Sequence, residues 1–412
     1  MSDMDRKWLK LNEICEIKSG KRIPKGMDYV TFQTSHPYIR ARDIKSGNIF
    51  TEDLIYLEDY VYKKIKKYII QEGDIAITIA GSIGETGYAK KTVDGYNLTE
   101  NAVRLTNFTK DVDSKFLHYV LVQKQYHDYM QLISGAAAQP KLGLYKIKRI
   151  RVALPKISIQ KKIADILSAY DNLIENNNKR IKLLEQMAEN LYKEWFVRFR
   201  FPGYEDVEFE EDIPSNWNYI QLSDIISFER GISYSSAEIN CDDGINLVNL
   251  KNIQSYGGFR REGTKKYNGK YKDSQIVKTG DLILGVTDMT QDRRTVGAVA
   301  LMPVLDGTSV ISADLVKIES QVPNQFLYCM CKYGFYSKYF SQFANGANVL
   351  HLKPNTLLNK KILLPTEDLI ETFTKKVKPM INIIDKINLQ NDILIKQRDL
   401  LLPRLMSGKL EV

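Results

Sequence analysis

What most constrains this chain is a repeat: its 412 residues run twice through one pattern, at a spacing of roughly 210 residues. The segment WLKLNEICEIKSG resembles WNYIQLSDIISFERG, so Leu11, Ile14, Ile17 and Gly20 match Leu222, Ile225, Phe228 and Gly231. YIRARDI, around Arg40 to Ile44, returns as LVNLKNI, around Asn249 to Ile253. EGDIAIT, with Gly73 and Asp74, returns as TGDLILG, with Gly280 and Asp281. Gly87 then matches Gly297, and the run from Leu142 to Pro155 matches that from Leu352 to Pro365. Any one match could arise by chance, but chance does not keep all of them in order. The spacing drifts by a few residues, as it does when loops accept insertions and cores do not.

Each copy has two parts. The first is rich in short β-branched and aromatic runs, such as IAITI and LILGV, which read as buried strands. Between them lie helical patches such as KFLHYVLVQKQYHDYMQLI, with apolar residues three and four apart. This predicts an α+β domain, over 1–156 in the first copy and 217–365 in the second. The second part follows a Leu-Pro step, Leu154-Pro155 or Leu364-Pro365, where proline closes the preceding strand. From Ile157 to Phe199 there is neither proline nor glycine, and apolar positions run Ile163, Ile166, Tyr170, Leu173, Ile181, Leu184, Ala188, Leu191 and Trp195. That spacing predicts a helix over 157–200, about 60 Å long at 1.5 Å per residue. A linker over 201–216 separates it from the second domain. The last helix is expected over 366–412, on Val377, Met380, Ile384, Ile387, Leu394 and Leu401, with Pro379 read as a kink or a late start.

Asn177 and Asn391 lie four residues beyond Leu173 and Ile387 in the two helices. An asparagine in such a seam can fix register; the alternative is an exposed asparagine beside a locally shifted seam. Helices this long with one sticky stripe must pair. The cheapest partner for each is the other, giving an antiparallel coiled coil about an approximate two-fold axis.

Charge and absent motifs narrow the function. The formal net charge of +9 favours a polyanionic partner, although many basic proteins bind no nucleic acid. No GxxxxGK[ST] phosphate loop occurs, and no adjacent prolines, hence no NPPY or DPPY motif of an amino-methyltransferase. His36, His118, His127 and His351 are scattered without metal-ligand spacing, so no metal site is expected. Cys329 and Cys331 sit in the apolar run FLYCMCKYGF and read as core thiols. With Cys15 and Cys241 they are too sparse for a disulfide framework, which fits a reducing cytoplasm. No apolar run is long enough to span a bilayer, so no membrane role is expected.

The order WxxLxxI…G, YIRARDI, GDIAIT, LP, long helix and second pass resembles the specificity subunits of type I restriction–modification enzymes. So do the helix ends LYKEWFVRF, Leu191 to Phe199, and LLPRLMSGKLEV, Leu401 to Val412. The resemblance covers essentially the whole chain. It implies two target-recognition domains, each reading half of a split, asymmetric site in double-stranded DNA, held apart by two antiparallel helices. It further implies docking of two modification subunits that methylate adenine, with restriction subunits joining. S-adenosylmethionine, ATP and Mg would then sit on those partners and no cofactor on this chain, a non-catalytic subunit.

Three regions of each copy are candidates for DNA contact. The first is the strand end and turn with Arg40, Arg42 and Lys45, matched by Asn249, Lys251 and Asn252. Arginine suits guanine edges or phosphate and asparagine suits adenine, while a solvated strand is the plain alternative. The second is the loop after GDIAIT or GDLILG: short and glycine-rich with Ser82 in one copy, TDMTQDRRT in the other. Thr287, Asp288, Gln291, Arg293 and Arg294 make the latter the first choice for base readout. The third follows Gly135 and Gly346, with Gln139, Lys141 and Lys146 in one copy and Asn348, His351 and Lys353 in the other. The seam is assigned to Leu173, Asn177, Leu184, Ile387, Asn391 and Leu394, and a docking patch for a further chain to Tyr192, Trp195, Phe196 and Phe199. The competing readings are an autonomous DNA-binding regulator, and a solitary methyltransferase or nuclease, which the absent motifs disfavour.

Overall fold

The computed structural model describes residues 6–135, 140–239, 243–410 and 412. It divides into two compact units, Met1–Glu175 with Asp392–Val412, and Asn176–Asn391. In the first unit a four-stranded antiparallel sheet runs Glu16–Ser19, Ala102–Thr106, Ile75–Thr78, Thr86–Tyr88. Ile75 to Thr78 are all buried, which is why this strand reads as a continuous apolar run and not as an alternation. Lys7–Lys10 pairs with Arg151–Leu154 beside it. A second lobe holds a three-stranded sheet, Ile55–Leu57, His36–Ile39, Asn97–Leu98.

The second unit repeats the topology of these three sheets. Ile226–Arg230, Leu315–Ser320, Leu282–Gly285 and Val299–Leu301 form the four-stranded sheet, and Asn218–Gln221 pairs with Lys361–Leu364. Lys265–Tyr267, Ile245–Val248 and Ser309–Ile311 form the second-lobe sheet. The mixed, mainly antiparallel sheets with flanking helices make each unit α+β.

The matched glycines have physical reasons. A Cβ on Gly20 would stand 2.0 Å from the Thr99 carbonyl oxygen, and one on Gly231 would stand 2.1 Å from that of Ser312. Both positions exclude any side chain because the backbone of the second lobe presses on them. One match needs correction. Register pairs Gly87 with Ala76, and the equivalent pairing puts Ala300, not Gly297, opposite Ile283. Gly297 instead corresponds to Gly84: both have positive φ, 79° and 87°. Each donates its N–H to the end of the preceding strand, at Gly285 (2.8 Å) or Thr78 (3.0 Å).

The helices run Ile157–Phe196 and Glu367–Ser407. The second passes through Pro379 without interruption, so a late start is excluded. Pro379 is exposed, which leaves the carbonyl it cannot satisfy, that of Lys375, open to solvent. The predicted seam is misplaced at two positions, Ile166 and Leu173. Leu173 is 49% exposed and Ile166 37%, whereas Ile163 and Leu167 are buried and Ile174 is half-buried. Rows 166/173 and 167/174 both recur every seven residues and both are apolar, so periodicity alone could not choose between them. Leu184 and Leu394 are half-buried, and Ile387 is buried.

Within the second unit, Asn177 and Asn391 are buried and bonded: Asn177 Nδ2 donates to Asn391 Oδ1 at 2.9 Å, and Asn391 Nδ2 donates to Asn178 Oδ1 at 2.9 Å. The alternative of exposed asparagines is thereby excluded. Trp195 packs near Phe373, 5.9 Å between ring centroids, while Asn177 meets Asn391, so the two helical segments of this unit run antiparallel. In the first unit Arg398 reaches Asp171 at 2.7 Å, and Tyr119 donates to the same carboxylate.

The expected docking patch is also corrected. Tyr192, Trp195 and Phe196 are 4%, 6% and 9% exposed, and Phe199 packs on the same core. They meet Phe326 and Phe373 of their own unit and offer no free face.

Candidate nucleic-acid interface

The three candidate regions are built on fixed backbone, and their geometry separates residues that hold the surface from residues that face outward. In the first region Arg40 is consumed locally. Its Nε and Nη2 donate to Asp43 at 2.9 and 2.8 Å, and Nη2 also reaches the Asp53 carbonyl. At the matched place Asn252 is fully buried, accepts from the Asn249 N–H at 2.9 Å and donates to Arg260 and Thr264. These residues close a tight turn, and the hydrogen bonds of Arg40 and Asn252 go to that turn and not outward to a base, contrary to the expectation from sequence. Arg42, Lys45 and Lys251 are exposed.

The second and third regions come together in both units. Leu142 N–H donates to the Ile79 carbonyl, and Ala80 bridges Lys141. Correspondingly, Leu352 N–H donates to the Val286 carbonyl, and Thr287–Asp288 pairs with Leu350–His351. With the glycines correctly matched, the first loop has five residues, 79–83, between Thr78 and Gly84, and the second has eleven, 286–296, between Gly285 and Gly297.

The longer loop is braced from within. Thr287 and Asp288 are 4% and 3% exposed. The Asp288 carboxylate accepts from Thr290 N–H (2.9 Å), Thr290 Oγ1 (3.0 Å) and Thr295 N–H (2.7 Å). Burial pushes this carboxyl up, but the N–H groups of Thr295 and Thr290 and their hydroxyls outweigh it and hold the pKa at about 2. Arg293, in the left-handed region at φ 53°, donates to the Ser341 and Ala344 carbonyls at the end of the helix Tyr336–Ser341. Thr287, Asp288 and Arg293 are thus positioning residues, contrary to the sequence expectation of base contact.

What faces outward is Gln291, Arg294, Asn348, His351 and Lys353. Gln291 Nε2 donates to the Ala347 carbonyl at 2.8 Å, joining the two loops, and Arg294 pairs with Asp292 at 2.9 Å on the surface. Sequence reading missed Tyr256. It is 57% exposed, has φ 65°, and its N–H donates to the Arg294 carbonyl at 2.7 Å. Its only sequence signal was the polar turn QSYGG, which no repeat match highlighted.

In the first unit Ser82 and Lys141 are exposed, while Lys146 is caught by the Ile133 carbonyl. Gln139 lies outside the described residues. His127, half-buried, packs on Gly84 at the root of the short loop and is a second omission of the sequence reading. Among the described residues no group of three or more His, Cys, Asp or Glu could hold a metal, and no helix is long and apolar enough to cross a membrane.

Residues 5–186 match the family described as the type I restriction modification DNA specificity domain. The type I restriction enzyme MjaIX specificity subunit of Methanocaldococcus jannaschii is 29% identical over 367 residues, covering 85% of this chain and 80% of the relative. The HindI specificity subunit of Haemophilus influenzae is 22% identical over 436 residues, covering 89% and 94%. The crystal structure of the S subunit of a type I restriction–modification system from M. genitalium shares the fold, with a TM-score of 0.65 at 14% identity over 98% of this chain and 97% of that one. The repeat extends the same framework over the second half, so the chain is similar over most of its length to specificity subunits of type I restriction enzymes, with residues 5–186 matching the DNA specificity domain.

Proposed function

We propose that each unit reads one half of a bipartite, asymmetric site in double-stranded DNA through the paired loops after its central sheet strand. The observation that carries this reading is a shared framework under dissimilar loops, five residues in one unit and eleven in the other between equivalent hydrogen bonds. Symmetric scaffolds with unlike edges suit a target whose halves differ. Phosphate contact falls to the exposed cations Arg42, Lys45, Lys141, Lys251 and Lys353, and base readout to Gln291, Arg294, Asn348 and His351.

The two long helices pair, in this proposal, as one antiparallel coiled coil that sets the distance between half-sites and docks two modification subunits. Support comes from the buried Asn177–Asn391 contact in one unit and the Asp171–Arg398 contact in the other. S-adenosylmethionine, ATP and Mg belong to the modification and restriction subunits, and the complex works in the cytoplasm. An autonomous regulator is not favoured by the family relationship.

The test is to express the chain with an adenine-methylating modification partner and map methylated adenines across a genome. The expected result is a split, non-palindromic motif with unlike halves. A continuous palindrome would overturn the bipartite reading.

A further inference from the structure

The two units end their helical parts differently. In the second unit the helix end at Tyr192 to Phe196 is covered by the connector that follows. Trp217 lies 5.9 Å from Phe196, 5.2 Å from Phe199 and 5.6 Å from Phe201 between ring centroids, and Phe201 and Trp217 are 5% and 7% exposed. That connector is also acidic, with Glu205, Asp206, Glu208, Glu210, Glu211 and Asp212.

The matched helix end of the first unit is Leu401 to Met406, with Met406 and Phe116 standing where Phe196 and Phe326 stand in the second. Arg6 precedes its strand as Trp217 precedes Asn218–Gln221, and its guanidinium donates to the Met406 carbonyl. Among the described residues 407–410 and 412 none carries an aromatic ring. A cleft of about 820 Å³ opens there, with Trp8 (61% exposed) and Leu410 (41% exposed) among its walls. Among the described residues its charged lining is Arg6, Arg404 and Lys409, with no carboxylate. Among the described residues none of the three cations is paired with a carboxylate.

We propose that this cleft takes an extended, acidic, aromatic-bearing segment of another polypeptide of the complex, the chemistry that the chain supplies to its own second unit through residues 197–217. Apolar walls favour the rings, and the cationic rim favours the carboxylates. None of the candidate DNA-contacting residues lines the cleft, so this interaction and the DNA reading stand or fall separately.

The probe is a fluorescein-labelled synthetic peptide with the sequence of residues 197–217, titrated into the full chain and followed by anisotropy. Saturable binding is expected, weakened at least roughly tenfold by Arg404→Glu with Lys409→Glu. Both residues are exposed, so the variant should keep the thermal transition of the parent. A peptide with Phe199→Ala, Phe201→Ala and Trp217→Ala should lose binding, while His351→Ala in the protein should not affect it. Absence of binding up to about 1 mM peptide overturns the proposal. So does binding indifferent to the charge reversal, or equal binding by the ring-less peptide. Concentration-dependent dimerisation of the chain that the charge reversal abolishes would assign the cleft to a second copy and overturn it equally.

Discussion

Asp288 accepts three strong hydrogen bonds inside its own loop, so its removal should undo the loop and not one contact. Asp288→Ala leaves the Thr290 and Thr295 N–H groups unsatisfied, at about 1–3 kcal/mol, and should degrade recognition of one half-site entirely while sparing the other. Sequence alone could not separate such residues from readers, because Arg40, Asn252, Asp288 and Arg293 have the donors and acceptors of base-contacting side chains. Only the local turn geometry reveals that those valences are filled. His118 makes a second residue-scale prediction. Burial, only partly opposed by Asp171, lowers its pKa to about 4, and its Nδ1 has no hydrogen-bond partner. The unfolded chain therefore takes up the extra proton between pH 6.5 and 4, and stability falls as pH drops through that window, by on the order of 3 kcal/mol at its lower end. His118→Phe should flatten that part of the pH–stability curve measured by urea unfolding; an unchanged slope would count against a buried neutral imidazole.

At the scale of elements, the helices were legible from periodicity and the absence of breakers, and the seam asparagines from their matched positions. The row facing inward was not legible, because Ile166 and Leu173 are as apolar as Leu167 and Ile174 and only packing ranks them. The asparagine pair can be tested by a double-mutant cycle on thermal unfolding. Asn177→Leu alone strips a donor from the buried Asn391 and should cost about 1–3 kcal/mol, whereas Asn177→Leu with Asn391→Leu should recover most of that loss. Pro379→Ala, at an exposed position within a continuous helix, should raise stability by about 1–3 kcal/mol in denaturant titration. A decrease would mean that the missing N–H serves the fold.

For the whole molecule, doubling was the clearest message of the sequence, and the family surface follows from it. Gln291→Ala with Arg294→Ala should relax one half of the methylated motif and leave the other intact, because the two side chains face outward from one unit only. Relaxation of both halves would show that the units are not independent readers. The aromatic cluster Tyr192–Phe196 was misassigned to a partner because a helix end rich in rings reads the same whether its cover is another chain or the connector that follows.

The hydrogen bonds that clamp each of the paired loops at its root carry a consequence for divergence. Thr78–Gly84 and Gly285–Gly297 hold the sheet in register whatever lies between them. Going from five to eleven residues roughly doubles the loop, and loop-closure entropy charges only ~0.6 kcal/mol for a doubling. If these loops read the target as proposed, insertions and deletions confined between those clamps would change what is recognised while leaving folding almost untouched. On that reading, target and fold would be set by separate stretches of the chain, so that swapping the loop between the clamps would transplant recognition without redesign of the sheet.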